Sequence, residues 1–244
     1  MEKNVVSWFS PALQKEMPVA VYGYYGYALL MIPTANADFL EYERFELLQT
    51  LKPFIDAGVL KVYSINSVND ESWLNGQKEG AHKAIRHNQF NEYVLNEVIP
   101  YIRNTSSEET FVYTCGASLG AFHAVNLFFK KPDLINGAIG MSGVYDLTEY
   151  THGYWDEQVY FNSPAHYIPN LTDEWYLKNI RASHHIHIYT GSGNHEAPEK
   201  NQQFSDMLWN KGIWHDFELW GHDIHHDWPT WRMMLPYIIK EKFT

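Results

Sequence analysis

Hydrophobic positions along the chain keep two rhythms that take turns. The stretches 4–13 ("NVVSWFSPAL"), 17–26 ("MPVAVYGYYG"), 27–34 ("YALLMIPT") and 59–68 ("VLKVYSINSV") are apolar runs or alternations rich in β-branched and aromatic residues, which predicts strands. Residues 41–58 ("EYERFELLQTLKPFIDAG") instead repeat at helical spacing. A long amphipathic helix is predicted over 79–104, where Ile85, Phe90, Tyr93, Val94, Val98 and Ile102 fall near one face. The alternation then continues: a strand from Phe111, a helix after Ser118, a strand over 135–145, a strand over 184–191, a helix over 199–212, a strand over 214–221 and a helix over 229–242. Strands that alternate with helices predict an α/β domain with a mostly parallel central sheet and helices on both faces. Residues 146–175, rich in Tyr, Trp and His, read as a loop, with two readings open: a cover over a site or a packed excursion.

Composition narrows this picture. A chain of 244 residues that is 45% hydrophobic can bury one sizeable core, and no repeat, low-complexity tract or linker divides it, so a single domain over 1–244 is expected. The net charge of −11 comes without a basic run, which argues against nucleic acid and against an anionic membrane as partners. The single cysteine, Cys115, excludes an internal disulfide and fits a reducing compartment. "MEKNVVSWFSP" has no secretion-signal pattern and no apolar window approaches ~18 residues, so a cytoplasmic protein is expected. A homo-oligomer is left open.

The candidate chemistry starts where the strand "FVYTC" runs into the helical stretch "LGAFHAVNLFF" through Gly116-Ala117-Ser118-Leu119-Gly120. A strand-to-helix turn this tight needs nearly side-chain-free neighbours two places either side of the serine, which the glycines supply. Such a turn lifts the Ser118 hydroxyl above the sheet at the positive end of a helix and leaves the Leu119 N–H available to an oxyanion. A serine nucleophile needs a base and a carboxylate that orients it, in the chain order Ser, acid, His. The base is sought in "WGHDIHHDWPTW", where His226 is preferred because it lies nearest the start of the last helix, ahead of His225 and His222. The acid is sought in "SGNHEAPEK" after the strand "HIHIYTG": Glu196 is preferred, with Asp146 and Glu199 as alternatives. No Cys or second His cluster has recognisable ligand spacing, so no metal is expected.

Four stretches together resemble the "putative esterase" family of α/β hydrolases, the group of S-formylglutathione hydrolases, feruloyl esterases and mycolyltransferases. They are 32–58, 65–73 ("INSVNDESW"), the elbow segment 116–147, and 191–235, which contains "HHDWPTW". The resemblance implies the α/β-hydrolase fold and a serine esterase that acts on a small-molecule ester without a cofactor. It implies Ser118, Glu196 and His226 as the triad, and the backbone N–H of Ala35, after "LLMIP", as a second oxyanion donor beside Leu119. An acyltransferase of the same fold and a non-catalytic binding module are the other readings. A complete Ser, Glu and His set argues against the module.

Overall fold

A computed structural model of the protein describes residues 1–244. The strands are β1 (Lys3–Ser10), β2 (Lys15–Tyr22), β3 (Tyr27–Ile32), β4 (Leu60–Ile65), β5 (Val112–Ala117), β6 (Gly137–Met141), β7 (His185–Thr190) and β8 (Asp216–Leu219). Side chains alternate across a strand, and the two faces of this sheet feed two separate cores. Ala28, Leu30 and Ile32 of β3 join Phe90, Val98 and Leu127 on one side, while Leu29 and Met31 join Leu48, Leu51, Leu235 and Ile239 on the other. Every residue of β4, β5 and β6 is buried, as a strand covered on both faces requires.

The eight strands form one sheet in the order β1-β2-β4-β3-β5-β6-β7-β8. β1 pairs antiparallel with β2, β2 antiparallel with β4, and all remaining pairs are parallel. β5 is therefore central, and the loops that follow the parallel strands gather at one end of the sheet. No helix is long and apolar enough to cross a membrane.

Three predicted elements differ in detail. The helix expected over 79–104 is helical throughout but widens into a π turn at Val94–Val98, between Gly80–Tyr93 and Ile99–Thr105. The widening precedes Pro100, which has no N–H to donate to the carbonyl one turn earlier. The helix expected over 41–58 breaks into Glu41–Arg44 and Leu47–Asp56 at Glu46, whose φ of 61° is left-handed. The 146–175 segment is a series of short helices, Thr148–Thr151, Glu157–Tyr160 and Pro164–Asn170, followed by the helix Glu174–Arg181. Its Leu147 and Val159 pack with Leu119, Phe122, Trp73 and Ala84, so it is seated against the helix that follows Ser118.

At the end of β5 the two glycines have separate steric reasons. A Cβ on Gly116 would overlap the Gly120 carbonyl, and one on Gly120 would overlap the Ile32 and Pro33 carbonyls of the neighbouring strand end. Because those obstacles are backbone atoms that no rotamer can move, Gly120→Ala should destabilise the fold by about 2 to 3 kcal/mol, read from chemical denaturation. An unchanged denaturation midpoint would show that the crossover relaxes freely.

Candidate active site

Ser118 follows the last residue of β5 and precedes the helix Leu119–Lys130. Its φ of 56° and ψ of −124° are a conformation that a non-glycine residue adopts only under constraint. The constraint is visible: the Ser118 N–H donates to the Met141 carbonyl at 2.9 Å, and its carbonyl accepts from the Ala121 N–H at 3.1 Å. Although it stands at an N-cap position, its hydroxyl makes no cap bond. The hydroxyl instead lies 2.9 Å from His226 Nε2.

The turn after β8 brings His226 there. Its N–H donates to the Asn194 carbonyl at 3.0 Å, and its ring stands edge-on to Trp231, 5.2 Å between centroids. Asp227 caps the last helix, Trp228–Phe243, by accepting from the Trp228 N–H. The neighbouring histidines are engaged elsewhere. His225 Nδ1 accepts from the Asn194 N–H at 2.8 Å, so His225 and His226 grip both polar atoms of one backbone residue. His222 faces Ser192.

Asn194 belongs to the loop that carries Glu196, so the same two contacts join the acid loop to the base loop. Glu196 Oε2 lies 3.6 Å from His226 Nδ1, within ion-pair range but longer than a hydrogen bond. Its side chain is fully buried, whereas that of His226 is 22% exposed. Glu196 Oε1 accepts from the Ser142 hydroxyl at 2.6 Å, Oε2 accepts from the Thr190 hydroxyl at 3.0 Å, and Trp231 Nε1 donates to Ser142 Oγ at 3.0 Å. Burial by itself pushes the Glu196 carboxyl upward, but the His226 imidazole and the Ser142 and Thr190 hydroxyls outweigh it and hold the group below the usual carboxylate range. The result is a carboxylate that stays ionised in a dry setting, with one oxygen turned to the imidazole.

Ser118, Ser142 and His195 are three of only six non-glycine residues with positive φ, and each touches or adjoins this cluster. Strained backbone concentrated in one place is a mark of a functional site.

The alternative acids stand apart. Asp146 caps its own turn, accepting from the Thr148 N–H at 2.8 Å and the Thr148 hydroxyl at 2.5 Å. Glu199 is exposed in the first turn of the helix Pro198–Asn210, where it complements the helix dipole.

Two backbone donors are candidates for an oxyanion. Leu119 opens its helix, so its N–H has no carbonyl one turn earlier to bond. Ala35 lies after β3 in a loop tied on several sides. The Tyr42 hydroxyl donates to the Ile32 carbonyl at 2.7 Å, and the Thr34 N–H and hydroxyl donate to Glu41 at 2.8 and 2.6 Å. The Ala35 N–H itself is bonded to no protein group.

An aromatic wall runs outward from the imidazole. Trp231 meets Trp228 edge-on at 5.1 Å, and Trp228 stacks flat on Phe45 at 4.3 Å and 2°. Phe45 is 42% exposed and ends the wall at the surface.

The contacts that sequence reasoning missed are Ser142 and Thr190 around Glu196, and Glu41, Tyr42 and Asn69 around the Ala35 loop; Trp231 stands in "HHDWPTW", and what the structure adds is its bond to Ser142. Thr190 and Glu41 meet partners six and seven positions away, whereas Ser142 and Asn69 meet partners 54 and 34 positions away, and no pattern of residue types announces these pairs. No group of three or more His, Cys, Asp or Glu side chains is arranged to hold a metal ion.

A family model described as "Putative esterase" matches residues 10–241. No curated protein sequence matches the chain. Among solved structures, a ferulic acid esterase superposes with a TM-score of 0.73 at 17% identity, covering 98% of this chain and 97% of that one. An S-formylglutathione hydrolase from Agrobacterium tumefaciens gives 0.72 at 14% identity, covering 99% and 95%. The fluorophosphonate-binding serine hydrolase F of Staphylococcus aureus gives 0.64 at 16% identity, covering 98% and 97%.

Proposed function

The chain belongs to the "Putative esterase" family of serine carboxylic-ester hydrolases with the α/β-hydrolase fold, and we propose that Ser118, His226 and Glu196 are its triad and that short-acyl or aryl esters are its substrates. The observation that carries this reading is the 2.9 Å contact between Ser118 Oγ and His226 Nε2, two groups 108 positions apart in the chain. A serine hydroxyl is a weak nucleophile until a base takes its proton, and the contact is at the distance that transfer needs.

His226 Nε2 removes the Ser118 proton as Oγ attacks the ester carbonyl. Glu196 keeps the imidazole in the tautomer with Nδ1 protonated and stabilises the imidazolium that forms. The 3.6 Å separation from Nδ1 shortens as that positive charge develops. The Leu119 and Ala35 N–H groups receive the negative charge of the tetrahedral intermediate. The imidazolium then returns its proton to the departing alcohol, and a water activated by the same imidazole releases the acyl group from Ser118. No step calls on a cofactor.

Two features support an aryl or short-acyl substrate. The Trp231, Trp228 and Phe45 wall leads from the base to the surface and suits a flat ring. The structural relatives include a ferulic acid esterase, named for an aryl acid, and an S-formylglutathione hydrolase, named for a one-carbon acyl thioester.

Labelling with a fluorophosphonate tests the assignment. One covalent adduct should form per chain, on the peptide that contains Ser118, and heat-unfolded protein should take up none. An adduct on another serine, or no adduct on an active enzyme, would overturn the nucleophile assignment.

A further inference from the structure

Asn69 sits where two lines of hydrogen bonds meet. Its side-chain amide donates to the carbonyls of Thr34, at 3.2 Å, and Ala35, at 2.8 Å. With the NH₂ group committed to two carbonyls, Oδ1 is left to accept, and it lies 2.7 Å from His123 Nε2. That contact places the His123 proton on Nε2. Burial holds the imidazole neutral, pushing it down to about 3. Asn69 and His123 are both essentially inaccessible, at 0% and 1% exposure. His123 Nδ1 has no partner at all, so the ring's one hydrogen bond is the bond to Asn69. Breaking that bond would leave buried polar groups unsatisfied on both sides, which is costly.

The peptide plane gives this arrangement its consequence. No peptide bond in the chain is cis, so the Thr34 carbonyl and the Ala35 N–H are opposite ends of one rigid trans unit and point in opposite directions. A side chain that holds the carbonyl therefore aims the N–H. The second Asn69 bond, to the Ala35 carbonyl, fixes the next peptide and blocks a compensating crankshaft rotation.

Resting on the triad reading above and on Ala35 as the second donor, we infer that Asn69, oriented by His123, is a positioning residue that sets the direction of the Ala35 N–H toward the developing oxyanion. His123 lies on the helix that begins just after Ser118. The nucleophile and the donor loop are thus tied through one rigid element, although they come from different strands. Glu41 completes the frame by holding the Thr34 N–H.

The test compares p-nitrophenyl acetate with its thionoester, because backbone donors stabilise a developing O⁻ well and a developing S⁻ poorly. Asn69→Asp is nearly isosteric but has no N–H to donate, and Asn69→Ala removes the group. Both should lower kcat on the oxygen ester by about 30- to 300-fold with KM within about threefold, since one oxyanion donor is lost or misaimed. The thionoester rate should fall much less, so the oxygen-to-sulfur preference should shrink by about tenfold or more. His123→Gln keeps an N–H at the same reach and should stay within about fivefold of wild type, whereas His123→Phe should follow the Asn69 variants.

Equal losses on both substrates, a loss carried by KM, or a folded Asn69→Asp enzyme with its preference intact would each overturn the inference. Should Asn69→Ala fail to fold by circular dichroism, Asn69→Asp and the two His123 variants give the same comparison. Fluorophosphonate labelling of the same wild-type preparation separates the two failures. An unlabelled Ser118 sinks the triad reading itself, while a labelled Ser118 beside an unchanged preference sinks only the role of Asn69.

Discussion

Ser118→Ala should fold as the wild type does and lose turnover of p-nitrophenyl acetate by ~10³- to 10⁶-fold. The fold is expected to survive because the hydroxyl contributes nothing to it: it caps no helix, and its bond is to His226. Alanine meets the positive φ at a cost similar to that of serine, and the Ser118 N–H and carbonyl bonds belong to the backbone. The activity is expected to collapse because the acyl group then has no atom to occupy, and the imidazole can only assist water. Residual rate from the oxyanion donors and from binding sets the range of the loss. Circular dichroism and steady-state kinetics on one preparation check both halves. A folded Ser118→Ala protein that still turns over substrate at a wild-type rate would remove Ser118 from the chemistry.

Glu196→Gln should also fold, and kcat should drop by up to ~10⁴-fold. The surroundings of the carboxylate explain why so small a change matters. Oε1 accepts from Ser142, and Oε2 accepts from Thr190 while facing His226 Nδ1. An amide has one acceptor oxygen for these demands, and its NH₂ must turn to one side. Turned to His226, the NH₂ donates to Nδ1 and moves the imidazole proton to Nε2. The face that should accept the Ser118 proton is then already protonated. Turned to Ser142, it disrupts the bond that Trp231 and Ser142 hold in place. By contrast, Asp146→Asn and Glu199→Gln should each stay within about tenfold of wild type, because Asp146 caps Thr148 and Glu199 lies exposed on a helix turn. A near-normal Glu196→Gln enzyme beside a crippled Asp146→Asn one would move the acid to the loop after β6.

Features that depend on short stretches of chain are legible in the residues themselves. Full burial of β4, β5 and β6 goes with near-continuous apolar runs, and "LKVYSI", "VYTCGA" and "GAIGM" are mostly that, with Lys61, Ser64 and Thr114 as buried polar exceptions. The elbow is legible for a steric reason: only glycine at 116 and 120 lets a strand turn so abruptly beside the Ile32 and Pro33 carbonyls. The split at Glu46 is not, because a left-handed glutamate is a choice that packing imposes and composition does not announce. The π turn at Val94–Val98 leaves one clue, Pro100, whose missing donor perturbs a helix without saying in which way it will yield. The series of short helices over 148–170 lacks a sustained period, and its order rests on contacts such as that of Leu147 and Val159 with Leu119 and Phe122.

By itself, then, the sequence determined the alternation of strands and helices, the need for a tight turn at Ser118, and a short roster of histidines and carboxylates. Each of these follows from interactions between residues a few positions apart, where backbone sterics and hydrophobic period act directly. The sequence also ranked His226 and Glu196 first in that roster, but only the tertiary structure brings them to Ser118. His226 reaches Ser118 while His225 braces Asn194, although the two are adjacent in sequence and alike in chemistry, because the turn after β8 points successive side chains in different directions. It also decided that Ser142, Thr190 and Trp231 close around Glu196, and that Asn69 and His123 bear on the Ala35 loop. Those partners come from separate strands and helices, and their proximity is a property of the sheet order and the packing of two cores that no local pattern encodes.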